Sequence, residues 1–215
     1  MRGNDHQLQR LLAQRSLDVA ILIFPEVEVL DFAGPFEVFS VAGRILKQNG
    51  RAPFRVSTVA ADAAPVRARH GLPVTPSATF ADRPAVDILI VPGGIVTQPL
   101  NDASTLDWIR ATAPQAGLVA SVCTGAFILA KLGMLEGRAC TTHWEDIHDL
   151  RRDHPELRVL EDVPFVDEGA VVTSAGISAG IGMSLHLVGR ILGEDAARRT
   201  ARQMQYDWDP QKRAA

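Results

Sequence analysis

Leu118-Val119-Ala120-Ser121-Val122-Cys123-Thr124-Gly125-Ala126-Phe127-Ile128-Leu129-Ala130 is the stretch whose reading decides the fold. Its first five residues form an apolar run suited to a buried strand. Directly after Cys123-Thr124-Gly125, apolar residues recur at helical spacing as far as Leu132. Cys123 therefore stands on a strand-to-helix elbow. A side chain there projects from the sheet edge and meets the unpaired N–H groups and positive dipole end of the following helix. Helix N-termini and nearby cations lower a cysteine pKa from about 8.5 into the range of roughly 3.5–7.5. Cys123 is accordingly expected to be partly or largely ionised at neutral pH and to serve as a nucleophile. The bland alternative is a small buried residue that closes a helix.

Working outward, strands and helices alternate. Leu17–Phe24 is an apolar run for a central parallel strand, ended by Pro25. A helix is expected from about Pro35, which suits a first helical turn, to Asn49-Gly50. Phe54–Ala60 reads as a second strand, Val66–Thr75 as an irregular edge hairpin, and Ile88–Val91 as a third core strand running into Pro92-Gly93-Gly94. Ala103–Ala113 reads as a helix. Beyond the elbow come a short strand around Arg138–Thr142, a helix from Trp144 to Arg152, and short strands at Arg158–Leu160, Pro164–Val166 and Ala170–Ser174. The last two of these form a hairpin. Ser178–Leu192 and Glu194–Tyr206 close the chain as helices. The order implies an α/β fold: a doubly wound, mainly parallel sheet with helices on both faces. Residues 17–210 make one domain, preceded by a helical or frayed extension, 1–16, whose Leu8, Leu11 and Leu12 can dock on the body.

The 215 residues suffice to bury roughly 70% of the unfolded surface in one core. A net charge of −3 argues against nucleic-acid binding through a broad basic face. Two cysteines, Cys123 and Cys140, fall in different elements and make no disulfide framework. The first sixteen residues lack a signal-peptide core, and no run reaches about 18 apolar residues. A cytoplasmic protein without membrane contact is expected. No metal-binding spacing is present.

In such a sheet, ligands bind outside the carboxyl ends of the strands. Asp31 lies there among Leu30, Phe32 and Ala33, where an isolated carboxylate is costly and its pKa should rise. It reads either as an acid that donates a hydrogen bond or proton to Cys123, or as the N-cap of the next helix. Glu26 and Glu28 read as solvated. Gly93 and Gly94 offer backbone N–H groups to an anion or polarised carbonyl, and with the Thr124 N–H would form an oxyanion hole. His143, twenty residues after Cys123, is a candidate substrate contact that orients the thiol, or a structural histidine. No partner that would orient it for base catalysis is evident. His148, His154 and His186 carry no assigned chemistry, and Cys140 reads as a packed strand residue.

The segments Phe24-Pro25, Leu30-Asp31-Phe32-Ala33-Gly34-Pro35-Phe36-Glu37-Val38-Phe39, Val91-Pro92-Gly93-Gly94, Ser121-Val122-Cys123-Thr124-Gly125-Ala126, Thr141-Thr142-His143-Trp144 and Thr173-Ser174-Ala175-Gly176-Ile177-Ser178-Ala179-Gly180 follow one another in order. Together they resemble the ThiJ/PfpI superfamily across about Leu17 to Pro210. The branches they resemble most are the isocyanide hydratases and the cysteine-elbow domains of AraC-type transcription regulators. The resemblance implies a flavodoxin-like sandwich, usually a homodimer. It makes Cys123 the nucleophile, Asp31 the acid that hydrogen-bonds it and supplies protons, and Thr124 the residue after the nucleophile, with Gly93 and Gly94 in the facing loop. PfpI-type proteases carry histidine where Thr124 stands, and the glyoxalase and deglycase branch favours glutamate at Asp31, so neither activity is expected. Both nearby branches usually carry an acid where Gly182 stands. The regulators add two helix-turn-helix units, whereas five residues follow Pro210 here, so direct DNA binding of that kind is not expected. The resemblance therefore implies a cofactor-free hydro-lyase that converts a small-molecule isocyanide to an N-substituted formamide. The alternative is a freestanding ligand-binding sensor without turnover.

Overall fold

The central strands are buried on both faces, which is why they read as unbroken apolar runs rather than alternating patterns. The computed structural model of the protein describes residues 3–209; residues 1–2 and 210–215, Pro210 among them, lie outside. In chain order the elements are α1 (Gly3–Gln14), β1 (Leu17–Leu22), α2 (Val29–Ile45), β2 (Phe54–Ala60), β3 (Val66–Arg67), β4 (Pro73–Val74), β5 (Ala78–Thr79) and β6 (Ile88–Val91). There follow α3 (Thr97–Asn101), α4 (Ala103–Thr112), β7 (Leu118–Val122), α5 (Gly125–Lys131), β8 (Ala139–Cys140), α6 (Ile147–Asp153), β9 (Arg158–Val159), β10 (Phe165–Asp167), β11 (Val171–Ser174), α7 (Ala179–Leu192) and α8 (Glu194–Gln203).

Seven strands form one sheet in the order β10-β11-β7-β6-β1-β2-β5, all parallel except the β10–β11 hairpin. Counting β1, β2, β6, β7 and β11 as the first to fifth parallel strands gives 2-1-3-4-5, the flavodoxin order. Helices α1, α2, α7 and α8 pack together, as do α3, α4 and α5. The expected doubly wound α/β architecture is therefore the one observed.

Several boundaries differ from expectation. Helix α2 begins at Val29, six residues before Pro35, which lies inside it. Proline marks a first turn only as a tendency, and here the helix accepts it in its second turn. The 66–74 hairpin is a separate two-stranded ribbon, and the sheet edge is β5, which periodicity over two residues does not reveal. Trp144–Asp146 is a 3-10 turn that leads into α6.

Helix α1 is docked on the body. Leu8 is fully buried, Leu11 and Leu12 are partly so, and Asn4 and Gln9 donate to the carbonyls of Gly117 and Ile191 at 3.1 and 3.2 Å. The Arg51 guanidinium caps its C-terminal end, donating to Leu12, Ala13 and Gln14 carbonyls at 2.9, 3.1 and 2.7 Å. His186, given no chemistry by the sequence, accepts or donates a 2.7 Å bond with Asp167. Among the described residues no helix is long and apolar enough to cross a membrane.

Candidate active site

Parallel strands β6 and β7 end side by side, so the loops that leave them must meet. Cys123 leaves β7 with φ +57°, a left-handed conformation that a non-glycine residue adopts at a cost and that makes a sharp strand-to-helix elbow. The surroundings hold it there. Its N–H is shared between the carbonyls of Ser174 and Ala175 at 3.2 and 3.3 Å, and its carbonyl accepts from Thr142 Oγ1 at 2.9 Å. Thr124 then caps α5 without a side-chain bond to the helix. Its hydroxyl donates to the Gly94 carbonyl at 2.9 Å and accepts from the Gly94 N–H at 2.9 Å.

Asp31 reaches the same place from α2. It is not a cap: Glu28 holds that position, and Asp31 Oδ2 instead accepts from the Gly93 N–H at 3.1 Å. The N-cap alternative thus falls away. The Gly93 position has no room for a side chain. A Cβ there would lie 2.5 Å from Thr124 Oγ1, 2.6 Å from Thr124 N and 2.9 Å from Asp31 Oδ2. Glycine lets the acid, the loop and the elbow converge.

This geometry corrects the expected oxyanion hole. The Gly93 and Gly94 N–H groups are already bonded, to Asp31 and Thr124, so these residues position site side chains rather than face a ligand. The Thr124 N–H remains directed at the Cys123 thiol, which it helps hold down in pKa.

Asp31 is fully buried, and burial raises its pKa from 3.8 to about 7. The Gly93 N–H opposes the rise, the Glu28 charge adds to it, and the Cys123 thiol and Ile177 N–H draw it down slightly. Its Oδ1 is buried with no hydrogen bond of ordinary geometry. Cys123 departs from expectation. Burial, then the Asp31 charge, push its thiol up to about 12 against the Thr124 N–H and hydroxyl. The sequence reading counted the helix dipole but not the desolvation of a thiol in a residue only 7% exposed, nor the two neighbouring carboxylates, Asp31 and Asp146. At neutral pH the resting state is a thiol beside Asp31.

His143 lies on the wall of the same site. Its ring rests on Gly176, where a Cβ would come within 1.9 Å of its Cδ2, and Gly176 belongs to the loop that receives the Cys123 N–H. The orienting partner that the sequence did not reveal is Asp146, whose Oδ2 is 3.4 Å from His143 Nδ1. In the other tautomer Nδ1 instead accepts the Glu145 N–H at 3.4 Å. Thr142, Asp146 and Ile177 were missed. Ile177, at φ +53°, is a β-branched residue in the left-handed region and offers its N–H toward Asp31. The Thr141-Thr142-His143-Trp144 and Gly176-Ile177 segments were legible as motifs, but only the fold shows what they touch. A Cβ at Gly182 would meet nothing, so the absence of an acid there leaves open space. Cys140 is a buried strand residue, as expected.

Comparison with known proteins places the chain among relatives. The chain is 38% identical to isonitrile hydratase of Pseudomonas putida over 196 residues, 89% of this chain and 79% of that one. It is 29% identical to the HTH-type transcriptional regulator GbdR of Pseudomonas aeruginosa (strain UCBPP-PA14), covering 88% of this chain but half of the regulator. A crystal structure of a ThiJ/PfpI family protein from Pseudomonas syringae superimposes with TM-score 0.79 at 27% identity, covering 91% of this chain and 77% of that one. The DJ-1/PfpI family model matches residues 18–190, which include Asp31, the Gly93-Gly94 loop and the Cys123 elbow, and the chain belongs to that family.

Proposed function

We propose that the protein is a cofactor-free hydratase of small-molecule isocyanides, with Cys123 as nucleophile and Asp31 as the group that moves the proton. The observation that carries this reading is the buried, unpartnered Asp31 Oδ1 beside an elbow thiol, with a pKa of about 7. Above that pH the pair holds one proton, on sulfur. As sulfur attacks the isocyanide carbon, the S–H proton passes to Asp31 and from Asp31 to that carbon. C–S and C–H bonds form, and the product is an enzyme-bound thioimidate, R–N=CH–S–Cys123. Water adds to its C=N bond, nitrogen takes a proton, and collapse releases the N-substituted formamide and the free thiol. No electrons enter or leave.

Thr124 directs its N–H toward the sulfur and holds the loop that holds Asp31. Three of the four large exposed apolar side chains among the described residues, Ile95, Trp144 and Ile177, adjoin site segments, which suits an apolar substituent on the isocyanide. The similarity to isonitrile hydratase supports the same chemistry. Homodimerisation and a cytoplasmic location accompany this reading as expectations.

The test is hydration of an aryl isocyanide followed by ultraviolet absorbance. Formamide formation well above that of a Cys123→Ala control is expected, and equal rates refute the reading. The similarity to GbdR favours a second reading, a ligand-binding domain without turnover. Saturable binding of a small molecule that is never consumed would select it.

A further inference from the structure

Glu28 and Arg69 lie outside the groups that meet substrate, yet the backbone ties both to the site. Glu28 precedes α2 as its cap residue, and its side chain makes no bond to the helix. Its N–H donates to the Gly93 carbonyl at 2.9 Å, so it is bonded to the same loop residue that holds Asp31. Its carbonyl accepts the Asp31 N–H at 3.1 Å, which places the two acids one turn apart, at i and i+3. Arg69 arrives from elsewhere, on the connection between β3 and β4. That ribbon is fastened to the strand-end loop by Glu26 N–H to Arg67 carbonyl at 2.8 Å and Arg69 N–H to Val27 carbonyl at 3.0 Å. The result is an Arg69 Nε to Glu28 Oε2 approach of 3.7 Å, with side chains 38% and 25% exposed. The small ribbon, which takes no part in the main sheet, thus presents a cation to the acid behind Asp31.

We infer that the Glu28–Arg69 pair is a positioning device that sets how readily Asp31 takes and releases its proton, an inference that rests on the proton-moving role given to Asp31 above. Glu28 alone disfavours a second negative charge one turn away; Arg69 offsets part of that effect. The other groups around Asp31 cannot substitute for this balance. The elbow contributes the Cys123 thiol, the loops after β6 and β11 contribute the Gly93 and Ile177 N–H groups, and α7 contributes the apolar Ile181 near Gly34. Asp146, paired with His143, acts on Cys123. Glu28 is the charge that raises Asp31, after burial.

Opposite signs make the test decisive. Asp31 is followed by carboxyl carbon NMR in protein labelled at aspartate, its resonance assigned by its loss in Asp31→Asn, at low ionic strength to limit screening. Glu28→Gln should lower the Asp31 midpoint by roughly half a unit, the effect of one charge at this separation through a partly aqueous path. Arg69→Gln should raise it by a smaller amount, and the double variant should fall between the two single variants. The acid limb of the hydration pH profile should follow the same order. Midpoints that stay put, or that move the same way in both single variants, overturn the inference even where hydration is intact. Midpoints that move as stated in a protein that hydrates no isocyanide uphold it and remove the hydratase reading instead.

Discussion

Replacing Asp31 by asparagine should make the protein more stable and inactive at once. The carboxyl has an ordinary pKa of 3.8, and burial raises it to about 7 in the fold. The folded state therefore binds this proton more tightly than the unfolded chain does. Stability from that source is complete below about pH 4, declines as pH rises, and is gone above about pH 7. A shift of about 3 units at 1.36 kcal/mol each amounts to about 4 kcal/mol, the cost of keeping a carboxylate in that position at alkaline pH. Asparagine has the same shape. Its amide oxygen can accept the Gly93 N–H, and its NH2 group takes the place of the orphaned Oδ1. The variant should thus exceed wild type by about 4 kcal/mol at pH 8.5. At this chain length that is roughly 8–16 °C in Tm, and the gap should close toward pH 4. Hydration should fall by about 100-fold or more, because an amide moves no proton. Calorimetric unfolding between pH 4 and 9, beside the isocyanide assay, checks both limbs. A variant less stable than wild type at pH 8.5, a gap that does not change with pH, or a near-normal hydration rate would refute the reasoning.

Further outcomes follow from the same geometry. In wild type, kcat/KM should rise with pH through about 7 as Asp31 becomes able to accept the thiol proton, and a profile flat across that range contradicts the proton route. Gly93→Ala should cost about 1–3 kcal/mol in denaturant unfolding and impair turnover, since its Cβ would lie 2.5 Å from Thr124 Oγ1. With iodoacetamide and peptide mass spectrometry, Cys123 should be labelled much faster than Cys140. Access decides, not ionisation: Cys123 keeps some exposure and Cys140 is fully buried, while burial pushes both thiols up, to about 12 and about 11. Equal labelling would show that the elbow does not open to small electrophiles.

How much was legible depended on whether a property is local. The apolar runs of β1, β6 and β7 stand out because both their faces are buried, and the Cys123-Thr124-Gly125 break is visible because period and composition change there together. From these and the alternation of elements around them came the doubly wound sheet and the elbow cysteine, and from the apolar neighbours Leu30, Phe32 and Ala33 the prediction that Asp31 would resist ionisation. The ends of α2 and the edge strand β5 were not legible, since a proline tolerated in a second turn and a two-residue strand leave little periodic signal.

Only the tertiary structure decided what the site residues do to one another. In sequence, Gly93 and Gly94 are free donors; in the fold their N–H groups are taken by Asp31 and Thr124. In sequence, Cys123 sees a helix N-terminus; in the fold it sees desolvation and two anions, and holds its proton. His143 acquires Asp146, and Glu28 acquires Arg69 from a hairpin more than forty residues away in the chain. Backbone propensity and burial pattern are properties of neighbours in the chain and are written there. Charge and solvation depend on neighbours in space, so they are settled only when the strand ends of β1, β6 and β7 bring their loops together.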